Sequence, residues 1–124
     1  MEYNDYVILF KSVARNLAQP YIAEYESPYI KSAHIIIDST LIPALAPSVT
    51  PYIQGYDQVS GKWYDILIGL PIVAVSVRIL KVHPNIENVN GVSVNDILPR
   101  KWRLLMDHAD TNSITYSVGA NLRS

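Results

Sequence analysis

The chain predicts an all-β fold, an antiparallel β-sandwich of about seven to eight short strands, Ig-like or jelly-roll-like, preceded by an N-terminal arm. Three observations lead there. Residues 113–122 alternate strictly, with Ile114, Tyr116, Val118, Ala120 and Leu122 on one face and Ser113, Thr115, Ser117, Gly119 and Asn121 on the other. Residues 53–67 read as a β-hairpin, two apolar and aromatic arms meeting at a turn over Asp57–Gly61. Eight prolines fall between apolar runs, so that strand-like segments recur at roughly 8–12-residue spacing.

The totals fit one domain. A chain of 124 residues buries roughly two-thirds of its unfolded surface, enough for one core without staples. It has no cysteine, so neither disulfides nor thiolate metal sites are expected. The net charge is −1 and the ten basic residues are scattered, which argues against a dedicated nucleic-acid surface. No run approaches the roughly 18 apolar residues of a membrane span. The acidic start, Met1-Glu2-Tyr3-Asn4-Asp5, lacks the pattern of a secretory signal, so synthesis in the cytoplasm is expected.

Taken in order, residues 3–18 carry two signals. Tyr6, Leu9, Phe10, Val13 and Leu17 have helical spacing, whereas Tyr6-Val7-Ile8-Leu9-Phe10 is a run of strand composition. Residues 16–31 lack a period and hold Pro20 and Pro28, so they read as an extended arm or long loop. The division expected is a strand and arm over 1–31 and the sandwich over 32–124. Five of the nine tyrosines lie in the first 30 residues: Tyr3, Tyr6, Tyr21, Tyr25 and Tyr29. Either they cover the edge of the domain's own core, or they anchor a partner.

Strands are expected over Ala33–Thr40, Val49–Tyr56, Trp63–Ile68, Ile72–Val82, Lys101–Asp107 and Ser113–Leu122. Pro51 suggests a sheet edge or bulge, because it cannot donate to a ladder. His83–Pro99 is a long irregular loop, of the kind that is functional or packed by its own side chains. Ala109–Asn112 reads as a hairpin turn. The expected core is Ile35, Ile37, Ile53, Trp63, Val75, Val77, Trp102, Leu104, Ile114, Tyr116 and Val118.

Chemical motifs are sparse. Gly55…Gly61-Lys62 has five residues between the glycines and Trp63 after the lysine, which does not fit a phosphate loop. His34, His83 and His108 share no helical or strand ligand spacing, although His34 and His108 could meet on neighbouring strands. Asp107, His108 and Asp110 resemble an acid–base cluster, at a turn where polar residues are expected anyway. Pro99-Arg100-Lys101-Trp102-Arg103 reads as a strand start with Trp102 in the core. Its basic residues, Arg100 and Arg103 among them, are then solvated or paired with acidic groups of a neighbouring subunit.

Several blocks, in order, resemble a known group: Ser48-Val49-Thr50, Ile53-Gln54-Gly55, Asp57…Val59-Ser60-Gly61-Lys62-Trp63-Tyr64, Asn95-Asp96-Ile97-Leu98-Pro99-Arg100…Trp102-Arg103, and Asp107-His108-Ala109-Asp110…Ser113-Ile114-Thr115-Tyr116-Ser117-Val118-Gly119-Ala120. They look like small proteins encoded among the virion structural genes of tailed bacteriophages. The resemblance covers about residues 31–122. Leu70-Pro71-Ile72-Val73 is bulkier than the group's Ala, Thr and Gly at that place. The resemblance implies a strand at the N-terminus. It also implies a non-enzymatic β-sandwich on the capsid surface, a decoration or cement protein over the major capsid shell. The partners implied are the major capsid protein and further copies of the chain, as dimer or trimer. No cofactor, metal, nucleic acid, membrane or small-molecule substrate is expected. Another virion part (neck, tail or fibre) and a carbohydrate-binding sandwich, with Trp and Tyr stacking on sugar rings, are the alternatives.

Overall fold

In the computed structural model, which describes residues 4–16, 21–43, 47–109 and 111–124, nine strands form two sheets packed face to face. The strands are β1 (Asn4–Arg15), β2 (Tyr21–Glu26), β3 (Ser32–Leu41), β4 (Val49–Asp57), β5 (Lys62–Ile68), β6 (Ser76–His83), β7 (Ser93–Asn95), β8 (Lys101–His108) and β9 (Ile114–Arg123). The five-stranded sheet has the order β1-β9-β3-β6-β7 and the four-stranded sheet β2-β8-β4-β5. All pairings are antiparallel except β6 with β7.

The strand implied for the N-terminus is there, as β1, whereas the arm reading of residues 16–31 is corrected. Tyr21–Glu26 pair with β8 as the edge strand of the four-stranded sheet. Edge pairing on one side leaves β2 alternating between half-buried and exposed, with no fully buried residue to mark it in the sequence.

The central hairpin is as expected. The Asp57 carboxylate accepts hydrogen bonds from the Ser60 hydroxyl at 2.7 Å and the Val59 N–H at 3.1 Å. These bonds, the Ser60 hydroxyl first, hold its pKa below the ordinary value. Gly61 takes a φ of 71°, which it reaches without a Cβ penalty. Pro51 does not mark an edge, since β4 lies between β8 and β5. Its carbonyl accepts from Gly69 N–H at 2.8 Å, so its nitrogen faces the same side, beyond the end of β5, where no ladder donor is needed. The bulge in this pair falls instead between Ile53 and Gln54.

The core lies between the sheets. Of the expected set, Ile35, Ile37, Ile53, Trp102, Leu104, Ile114, Tyr116 and Val118 are buried there. Trp102 is 1% exposed, and its indole N–H has no hydrogen-bond partner among the described residues. Trp63 is only half-buried, on the outer face of β5. Val75 and Val77 are corrected outright, being 62% exposed each. Strand β6 starts at Ser76 because the Ser39 hydroxyl accepts its N–H at 3.0 Å. Leu80 and Val82 then point inward, which turns Val77 and Ile79 to the outside. Ile72 leaves the run to bridge Val49 of β4 through two backbone hydrogen bonds.

The hairpin expected at Ala109–Asn112 is corrected, since β8 and β9 lie in different sheets. The loop after β6 is braced by its own polar side chains: Asn88 and Asn95 accept the backbone N–H groups of Asn95 and Asn85, and the Ser93 hydroxyl donates to the Glu87 carbonyl.

Trp102→Ala is expected to cost about 3–5 kcal/mol, and Val77→Ser to stay within about 0.5 kcal/mol, both read from denaturant midpoints. Removing residues 1–28 deletes β1 and β2 and is expected to abolish cooperative unfolding by circular dichroism.

Candidate functional site

The sandwich presents two outer faces, and the strand register dictates what each carries. On the five-stranded sheet, Ile8 of β1 lies opposite Gly119 of β9. Gly119 lies opposite Ile36 of β3, and Ile36 opposite Ile79 of β6. This makes an apolar row across four strands. Tyr6 and Val77 extend it on either side, and Ile8 and Tyr6 are 70% and 78% exposed. Gly119 has only the Val7 carbonyl within 4 Å of where a Cβ would stand, so the row is notched at its middle. Asn121, His34 and Lys81 form the polar row on one side, and Ser117 and Asp38 flank the other.

On the four-stranded sheet the outer face is charged and aromatic. Arg103 donates to Gln54 at 2.8 Å, and Gln54 donates to Asp65 at 2.8 Å, a chain across three strands. The Arg103 guanidinium sits 4.2 Å over the Trp63 ring, and the Lys101 ammonium 4.7 Å over Tyr56. Trp63 and Tyr56 pack at 5.0 Å. The stacking partners of this Trp are therefore cations of its own sheet.

Between the sheets lies a buried polar cluster. Two register shifts in β1 disturb its ladder with β9. The Arg15 side chain, 7% exposed, gathers the carbonyls of Lys11, Val13 and Tyr116 at 2.6, 3.2 and 2.8 Å. Phe10 and Tyr116 hold the guanidinium at 5.0 and 4.8 Å from their ring centres. Tyr116 shares a 3.0 Å hydrogen bond with His108 Nε2, and Tyr21 packs on His108 at 5.2 Å. Burial pushes the Tyr116 phenol well above the ordinary tyrosine range.

The residues singled out in the sequence do not form one surface. Tyr3 lies outside the described residues. Tyr6 stands on the apolar outer face and Tyr29 is exposed. Tyr21 and Tyr25 turn inward, Tyr25 onto Trp102 at 5.7 Å, so they cover their own core. Arg100 lies 3.6 Å from Glu26, both side chains solvated, and Arg103 belongs to the charged face. Asp107 is exposed, His108 is buried, and Asp110 lies outside the described residues, so no acid–base cluster is assembled at that turn. His34 and His108 do not meet, the first being on an outer face and the second between the sheets. Among the described residues no three His, Asp or Glu side chains converge as metal ligands.

No family model, curated protein or solved structure matches the chain. Nothing local in the sequence marks Arg15, whose inward place follows from the register shifts in β1. Val75 and Val77 stand out in the sequence as an apolar alternation, but they face outward and not into the core.

Because Tyr116 keeps its proton when folded and loses it more readily when unfolded, its contribution is full below the ordinary tyrosine pKa of about 10. It is lost as pH rises through the higher folded value. Stability should fall above about pH 10, and Tyr116→Phe should flatten that fall, as measured by urea unfolding across alkaline pH.

Proposed function

We propose that this chain is a non-enzymatic virion structural protein, a capsid decoration protein laid over the major capsid shell of a tailed bacteriophage. The observation that carries the reading is the apolar row on the outer face of the five-stranded sheet. Large exposed apolar patches rimmed by polar groups mark interaction sites. Here the patch is built on rigid strands, with the Asn121–His34–Lys81 row and Asp38 as its rim. Resemblance of the ordered sequence blocks to phage virion proteins supplies the nature of the partner. The major capsid protein would seat on this face, and several copies joined in one homo-oligomer would add avidity without new contacts.

The deciding measurement is the amount of this protein relative to major capsid protein in purified particles. Many copies over the shell are expected. A few copies at one vertex would assign it to the neck or tail, and none would remove the reading. Ile79→Asp and Val77→Asp should each weaken binding to preformed shells at least about tenfold, the loss of one well-buried apolar contact with a charge left in its place. Their melting temperatures should stay near that of the parent. Unchanged binding by both variants would move the contact to another face.

A further inference from the structure

At one end of the five-stranded sheet the outer face is basic. The row Asn121–His34–Lys81 lies beside the pair Ser32–Arg123, and His83 follows the Val82 that pairs with Ala33. Between them is a hollow of about 120 Å³ lined by Ser32, Ala33, His34, His83, Asn121 and Arg123. The hollow has room for a few waters or one small ion. That suits one tetrahedral oxyanion and is too small for a nucleotide.

Ser32 is 5% exposed, and its hydroxyl makes no side-chain hydrogen bond among the described residues. This hydroxyl opens on the cationic hollow and is a donor that an oxyanion would use. His83 Nδ1 lies 2.6 Å from the Pro84 carbonyl, so it donates there and Nε2 is the ring nitrogen left for another partner. Burial, then the charges of Lys81, His83 and Arg123, hold the His34 pKa below its ordinary value. The groups facing this place are His34 on β3, Lys81 and His83 on β6 and Arg123 on β9. Tyr6 and Asp5 stand on the β1 side, where they share a neighbouring hollow with Arg123.

We propose that this hollow binds a small tetrahedral oxyanion of the sulfate or phosphate class, through the Ser32 hydroxyl, the Asn121 amide, the His34 and His83 rings and the Arg123 guanidinium. The site is separate from the apolar row and stands whether or not that row meets a capsid. An anion there neutralises charges that otherwise repel one another across three strands, and it favours the charged form of His34.

The test is a sulfate titration of the full chain, followed by amide and imidazole chemical shifts at fixed ionic strength, with sodium chloride as the balancing salt. Sulfate keeps its charge over the range, so pH acts only on the protein. Saturable shifts are expected at Ser32, His34, His83 and Asn121. Affinity should rise as pH falls below the ordinary histidine value of about 6.5, because the bound anion favours the His34 imidazolium that burial and neighbouring charges disfavour. Ser32→Ala and His34→Gln should each weaken binding with the remaining spectrum unchanged. Absence of saturation, equal shifts with chloride alone (an adventitious ion only), or shifts centred on other residues would overturn the proposal.

Discussion

The register between β3 and β9 is the constraint on which the rest of the molecule depends. β9 lies between β1 and β3, and β3 between β9 and β6, so this one pairing orders the five-stranded sheet. A slip by one residue would turn one strand's inward set out of the core, either Ile35 and Ile37 of β3 or Tyr116, Val118 and Ala120 of β9. β9 resists this by itself, since its other face is Thr115, Ser117, Gly119 and Asn121. β6 does not, because its outward Val77 and Ile79 are as apolar as its inward Leu80 and Val82. There the polar pins decide: the Ser39 hydroxyl, buried, accepts from Ser76 N–H and donates toward the Ala74 and Ser76 carbonyls.

That asymmetry explains what could be read from the sequence. A strand with one apolar and one polar face, such as Ile114–Arg123, declares both its existence and its orientation. The hairpin at Asp57–Gly61 is equally legible, because its turn is closed by local side-chain bonds. A strand apolar on both faces declares only its existence. Alternation alone therefore points Val75 and Val77 inward, whereas they lie on the apolar outer side. Tyr21–Glu26 fails in the opposite way: an edge strand half-buried on one face looks like a loop between Pro20 and Pro28. A short polar connection such as 109–112 reads alike whether it closes a hairpin or changes sheet. The basic hollow joins residues from three strands far apart in the chain, so it becomes visible only once they are paired.

The two outer faces divide the surface chemistry. One sheet turns cations onto its own aromatic rings and ties Arg103, Gln54 and Asp65 into a chain, so its polar groups are largely satisfied by one another. The other carries side chains that nothing in the fold covers. Recognition by the second face needs no rearrangement of the first, because the strands of each sheet are set by the core between them.

Arg15 and Asp5 have a consequence for how copies of this chain can meet. β1 is a 12-residue edge strand, long enough to template growth of the sheet from one molecule into the next. The Asp5 carboxylate accepts the Tyr6 N–H at 2.8 Å, and Arg15 holds the Lys11 and Val13 carbonyls. Those backbone groups are thus withdrawn from any incoming strand, and the bulges bend the remainder out of line. Fibre-like propagation along the sheet is discouraged at its most exposed border, so copies can crowd together at high local density and still meet through side chains.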